Sequence, residues 1–290
     1  MTRSSSRCST RWSGTGSPRA TRVEELREER REKIRLAVLA SGSDGNALYA
    51  ESGGEALLVD AGVSLRQIVR RVSAAGGSME KVRALLVSHE HWDHVKGLPA
   101  LLQRRALPVY ATEGTSRALA RQSRDRLARS CMKTFGAIRS FGVGPWTIRA
   151  FPTPHDAEEP VGFILEAEGF RVGIATDMGS VTPEVVSALS GLDALVLEFN
   201  HDPEMLAAGP YRQHVKARIA SPLGHLSNEE AGGLLRQVAH EGLRLVILAH
   251  LSQENNEPHL ALRAAEKNLN GYAVRCRVAP RGGSDGVWDL

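Results

Sequence analysis

Long apolar runs are missing from this 290-residue chain. None approaches the roughly 20 residues that a helix needs to cross a bilayer, which excludes an integral helical membrane protein. Cysteine is scarce: Cys8, Cys131 and Cys276 are scattered, with no C-x-x-C pair. That excludes a disulfide framework and a zinc knuckle and fits a reducing cytoplasm. Neither G-x-G-x-x-G nor G-x-x-x-x-G-K-[ST] occurs, so nothing supports nucleotide binding through a phosphate loop. The folded part also lacks a charge excess. Of 37 Lys/Arg and 33 Asp/Glu, nine and five fall in residues 1–33, leaving 28 of each in the remainder. The sequence pI near 9.1 is therefore a property of the N-terminal segment and not the mark of a basic nucleic-acid groove.

That segment divides in two. Residues 1–20 are Ser, Arg, Gly and Thr with little to bury, which predicts disorder, and they contain no apolar core of a secretory signal. Residues 21–33 pair Glu with Arg three and four apart and predict at most a solvated charged helix. The expected organisation is a tail over 1–33 and one domain over 34–290.

What is present centres on residues 83–94, where the apolar run Ala84–Val87 opens into His89-Glu90-His91-Trp92-Asp93-His94. Alternate positions on an extended backbone point the same way, so His89 and His91 can grip one cation, and Asp93 and His94, once the chain turns, can reach a second. A polar loop could carry such residues too, but four ligand-type side chains within six positions favour metal. Nitrogen and oxygen donors without thiolate suit Zn, Mn or Fe alike.

Elsewhere the chain reads as strands interrupted by helices. Strands are expected over 34–40, 47–51, 55–59, 107–110, 146–151, 161–166, 171–175, 192–197 and 243–248, and helices over 65–75, 95–102, 115–130, 228–240 and 258–269. The loop Ser41–Asn46 reads as a hairpin turn, less strongly as an anion nest. Asp60 could precede and cap a helix or orient a metal-bound histidine from behind. Five apolar strands finish on a His, Asp or Glu, which describes a common rim. Two sheets packed face to face with helices outside fit this α/β pattern better than a doubly wound parallel sheet. Basic residues from Arg117 to Lys133, and again at Arg212, Lys216 and Arg218, read as solvated faces or phosphate patches. His201 and His214 read as solvated or structural, and His201, two residues past the rim, reads less strongly as a substrate contact. An edge strand over 272–278 offers a route to self-association, hence to a homo-oligomer.

Taken in order, Asp60, His89-x-His91-x-Asp93-His94, His155, Asp177 and His250 resemble the five motifs of the metallo-β-lactamase fold superfamily, over about residues 34–278. The resemblance implies an αββα sandwich of two mixed sheets and two divalent ions, Zn or Mn, with Fe a third option. By carry-over, His89, His91 and His155 hold one ion, Asp93, His94 and His250 the other, with Asp177 bridging and Asp60 behind the histidines. Gly224-His225-Leu226-Ser227 resembles the histidine motif of tRNase Z-like phosphodiesterases, and Glu198 the glutamate that pairs with it. A capping box at Ser227 and Glu230 accounts for Ser227 but not for His225. With Ser41–Asn46, Glu198–Asp202 and Ala249–Asn256, the pattern is similar to the exonuclease-like YycJ branch, also called WalJ.

The implied activity is hydrolysis of a nucleic-acid phosphodiester, DNA before RNA, by a hydroxide shared between two cations, with His225 as general acid. The competing implications are a hydrolase of small thioesters or lactones and a metal-holding scaffold without turnover. There is no long Gly-rich arm between His94 and His155 and no inserted domain after Asp177, which argues against precursor tRNA as substrate.

Overall fold

Several segments of this chain are apolar at every position, and a computed structural model shows why: they are strands covered on both faces. The structure describes residues 34–122, 130–136, 140–280 and 286–290. The tail expected over 1–33 lies outside the described residues.

The strands in chain order are β1 (Arg35–Ala40), β2 (Ala47–Ser52), β3 (Glu55–Val59), β4 (Val82–Leu86), β5 (Val109–Thr112), β6 (Met132–Phe135) and β7 (Ser140–Val143). They continue with β8 (Trp146–Pro152), β9 (Val161–Ala167), β10 (Phe170–Ala175), β11 (Ala194–Glu198), β12 (Leu245–Ala249), β13 (Arg275–Val278) and β14 (Val287–Asp289). They form two seven-stranded sheets, ordered β14-β1-β2-β3-β4-β5-β6 and β13-β12-β11-β10-β9-β8-β7. Each is mixed. Antiparallel strands make one part (β14, β1, β2, β3 and β7 to β10), and parallel strands continue it (β3 to β6 and β10 to β13).

Side chains alternate between two interiors. β4 sends Ala84 and Leu86 between the sheets and Val82 and Leu85 outward. β11 likewise sends Ala194 and Val196 inward and Leu195 and Leu197 outward. Outside the first sheet, the helices Leu65–Ala74, Leu98–Arg104 and Glu113–Gln122 contribute Ile68, Val72, Leu101, Leu102 and Leu119. Outside the second, the helices Pro183–Leu189, Asn228–Val238 and Pro258–Asn268 contribute Val185, Leu189, Leu234, Leu235, Ala261 and Ala265. The result is the expected four-layer αββα sandwich, in which each fully buried Leu or Ile stabilises by about 1.5–3 kcal/mol.

The structure corrects several local expectations. The helix expected over 95–102 is two, Trp92–Val95 and Leu98–Arg104, split at Gly97. Gly97 donates to the Ala61 carbonyl at 2.7 Å, and a Cβ there would lie 2.2 Å from the Val63 oxygen, so the chain must break to approach that closely. The helix expected over 115–130 starts at Glu113, and its residues 123–129 lie outside the described ones. Met132 and Lys133, at the end of that basic stretch, belong to β6, paired in parallel with β5. The helix Pro183–Leu189, missed in the sequence, is started by Thr182, whose hydroxyl accepts from the Val185 amide.

Topology places the site. The parallel strands β3, β4, β10, β11 and β12 point their carboxyl ends to one edge of the sandwich, and β8, antiparallel to β9, shares their direction. At or just past those ends come Asp60, His89, Asp177, Glu198, His250 and His155. The carboxyl rim of parallel strands is where ligands gather in such sheets.

Candidate metal centre

Past the end of β4 the chain runs through Ser88-His89-Glu90 to an extended His91 and then turns, with His91 as the N-cap of the four-residue helix Trp92–Val95. That turn brings His94 back beneath His89, with ring centroids 4.1 Å apart. Asp60 stands behind them. Its carboxylate accepts from the Ser88 amide and hydroxyl, both at 2.8 Å, and from His94 Nδ1 at 2.7 Å. His94 is thereby fixed with Nε2 facing the site. The capping alternative for Asp60 fails, because Ser64 caps the helix Leu65–Ala74 in a box with Gln67.

His155 is oriented in the same way, with Nδ1 donating to the Gly224 carbonyl at 3.0 Å. Its Nε2 then lies 3.3 Å from His91 Nδ1, which is 3.1 Å from His89 Nε2. Asp177 Oδ2 is 3.2 Å from both His94 Nε2 and His250 Nδ1. Asp177 Oδ2 and His250 Nδ1 are nonetheless buried without a properly aligned hydrogen bond. Asp93 Oδ2 sits 3.5 Å from His94 Nε2.

Three sets of donors gather within 4.8 Å among the described residues: His89, His91 and His155; His89, His94 and Asp177; and Asp177, Glu198, His225 and His250. Three converging ring nitrogens, beside a buried carboxylate oxygen and ring nitrogen lacking partners, are what a divalent cation satisfies. The donor set fits such an ion.

Electrostatics agree with a site built for positive charge. Burial disfavours charge on Asp177, yet the neighbouring His250 and His94 override it and hold the carboxyl well below its usual range. Burial likewise opposes charge on His94, but Asp177 and Asp60 raise it well above the ordinary histidine value. His250 is pushed up to about 9, the Asp177 carboxylate outweighing burial. Burial, reinforced by the charge on His94, drives His89 the other way, and burial lowers His155 also.

Backbone conformation marks the same residues. Asp60, Asp177 and His250 have φ of 59°, 60° and 56°, in the left-handed region that non-glycine residues avoid. Asp60 and His250 directly follow the last residue of a rim strand and Asp177 comes one residue later, and this twist swings each side chain off the sheet edge into the site. Such strain costs about 1–3 kcal/mol per residue and gathers at functional sites.

Opposite the histidine cluster, His225 Nδ1 bonds Glu198 Oε1 at 2.7 Å. Glu198 is wholly buried at the end of β11, and its other oxygen accepts from the Met178 and Leu226 amides at 2.8 and 3.3 Å. Burial lowers the proton affinity of His225, and Glu198 more than restores it. The cap at Ser227 is also present: its side chain and amide exchange hydrogen bonds with Glu230. A cavity of about 320 Å³ lies over all of this, lined by His91, Asp93, His155, Asp177, His225 and His250 together with Trp92 and Arg218.

These pieces form the site of a known family. A model of the beta-lactamase superfamily domain matches residues 55–251. The chain belongs to the metallo-β-lactamase superfamily. Within it, the chain is 36% identical over 250 residues to exodeoxyribonuclease YycJ of Bacillus anthracis, covering 83% of this chain and 92% of that one. It is 33% identical over 231 residues to exodeoxyribonuclease WalJ of Streptococcus pneumoniae, covering 79% and 85%. Those relatives put it in the YycJ/WalJ branch. The superfamily's sandwich recurs in the metallo-β-lactamase fold protein YhfI from Bacillus subtilis, at TM-score 0.68 and 20% identity, covering 89% of this chain and 100% of that one.

Two features of this superfamily member escaped the sequence reading. Asn46 exchanges two bonds with the Gly42 backbone, which orients its amide, and its Nδ2 then reaches Asp93 Oδ2 at 3.2 Å and His94 Nε2 at 3.0 Å. The turn expected at Ser41–Asn46 is thus also a wall of the site. Its Ser41 Oγ further accepts from the His250 amide at 2.6 Å. Asn200 and Asn256 hold the chain behind Glu198 and His250, Asn200 donating to the His250 carbonyl and Asn256 to the Phe199 carbonyl.

His201 is buried and bridges to Ser227, which favours its structural reading, and His214 is exposed. Arg117 and Arg121 pair with Glu113 and Glu158, and Arg124, Arg126 and Arg129 lie outside the described residues. Of the second basic group, Arg218 reaches the cavity, with Nε 2.7 Å from Asp156. No helix among the described residues is long and apolar enough to cross a membrane.

Proposed function

We propose that this chain is a binuclear metal-dependent phosphodiesterase acting as an exonuclease on DNA. The observation that carries this reading is the His225–Glu198 pair at 2.7 Å on the wall of the cavity that also holds both groups of metal-type donors. A small-ester hydrolase has no use for a second, carboxylate-held histidine facing its cations. The names of the YycJ and WalJ relatives support the same choice.

In this reading His89, His91 and His155 hold one ion, Asp93, His94 and His250 the other, and Asp177 is shared. Zinc and manganese both suit these donors. When bound, the two ions lower the proton affinity of an attacking water and neutralise the non-bridging phosphate oxygens. Asp60 keeps His94 in the tautomer that presents Nε2. Glu198 holds the Nδ1 proton of His225, leaving Nε2 to donate a proton to the departing sugar oxygen.

Two measurements test this. End-labelled DNA and RNA, single and double stranded, are digested by protein reconstituted with Mn or Zn, beside Asp93→Ala. Metal-dependent shortening from one end, lost in the variant, is expected; cleavage of acyl esters but not of nucleic acid by fully metallated protein would overturn the reading. Separately, His225→Ala should lower turnover about 10²- to 10⁴-fold with metal content retained. Metal lost in step with activity would make His225 a ligand instead.

A further inference from the structure

Trp92 is the anomaly of the cavity. It sits between two metal-type residues, His91 and Asp93, lines the same cavity, and is 67% exposed, the most exposed of the large hydrophobic side chains described. An indole left in water gives up most of the stabilisation that burial offers it, a loss that folding alone does not account for. The helix Gln213–Ile219 supplies Val215, Arg218 and Ile219 to the cavity, which at i, i+3 and i+4 occupy one face of that helix. Its first turn contains no acidic residue and its last turn carries Lys216 and Arg218. An aromatic plane, aliphatic side chains and a guanidinium thus share a space of about 320 Å³ beside the proposed scissile position. That volume is at the small end of ligand pockets, about 300–1,000 Å³. It has room for a single nucleotide.

We infer that Trp92 is the platform of a nucleobase subsite, on which the terminal base of a frayed or single-stranded end stacks, with Val215 and Ile219 completing the apolar wall and Arg218 facing the sugar-phosphate chain. The inference rests on the nuclease reading of the same centre and adds what that reading leaves open: a base, and not only a phosphate, is recognised, and the end must be unpaired to enter. Stacking on an aromatic side chain is tolerant of sequence, because every base presents a π-face.

The test compares oligonucleotides that differ only in whether the terminal nucleotide carries its base or is abasic, using Mn-reconstituted wild type, Trp92→Ala and Trp92→Phe, with metal content measured for each. The preference in kcat/KM for the base-bearing end should be about 5- to 150-fold in wild type, close to one in Trp92→Ala, and largely kept in Trp92→Phe. A wild-type preference near one, or a preference unchanged in Trp92→Ala, overturns the subsite. A second readout needs no turnover: thymidine monophosphate should quench indole fluorescence in wild type, ribose 5-phosphate should not, and Trp92→Phe should lose the quenching. Quenching retained in Trp92→Phe overturns the proposal. If wild type cleaves no nucleic acid yet quenches with thymidine monophosphate and not in Trp92→Phe, the nuclease reading falls while the subsite stands.

Discussion

Asn46 shows how a single amide can govern a metal site without belonging to it. Its orientation is set by Gly42, so Nδ2 points at Asp93 Oδ2 beside His94, the two neighbours in sequence proposed to share an ion. Asn46→Ala should weaken binding of the second cation about 10- to 100-fold and leave the first nearly unchanged, as read by calorimetric titration with Mn or Zn. Equal weakening of both would assign Asn46 to folding of the loop. Such a role was not legible in the sequence, since 47 residues separate Asn46 from Asp93 and only the folded rim brings them together. His89, His91, Asp93 and His94 were legible because their geometry is local: an extended run, then a turn. The pairing of Glu198 with His225, 27 residues apart, was reached through resemblance alone.

At the scale of elements, the apolar strands were readable because burial on both faces leaves no polar positions to confuse the pattern. The edge strands β6, β7 and β14 were not, since half-exposed segments of three or four residues alternate too briefly to stand out. Loop packing is equally hidden from sequence. Gly62 lies so close to Asp93 that a Cβ would fall 1.6 Å from the Asp93 carbonyl oxygen. Gly62→Ala must therefore push the strand end after β3 away from the helix Trp92–Val95. The expected cost is about 1–3 kcal/mol in urea unfolding, with loss of metal affinity and an unchanged far-UV spectrum.

Between β2 and the turn before β4, Glu51 offers a test in pH. Burial raises its carboxyl, but bonds from Lys81 and from Tyr49 Oη at 2.6 Å bring it below the usual carboxylate value. A depressed carboxylate stabilises the fold above its unfolded-state value and loses that contribution as pH falls through its folded one. Glu51→Gln should thus cost about 1 kcal/mol near pH 7, Lys81 being part-exposed, and the gap to wild type should close on acidification below about pH 4. A gap independent of pH would refute the ionic account.

For the molecule as a whole, ligation and stability are linked. A cation that binds only the native state adds RT ln(1 + [L]/Kd), about 2.7 kcal/mol at a hundredfold excess over Kd. In a chain of this size that corresponds to a melting temperature higher by about 5–11 °C, abolished by chelator. Asp177→Ala should melt at the same temperature with and without metal; a full shift in that variant would remove Asp177 from the centre.

The rim has a mechanical corollary. His89, His91, Asp93 and His94 hang from one sheet, and His155, Asp177 and His250 from the other. Each proposed ion therefore draws donors from both layers and acts as a rivet through the seam of the sandwich. Its escape is tied to the breathing of that seam, so low concentrations of guanidinium, well short of unfolding, should hasten metal loss to a chelator in proportion to how far the two layers loosen.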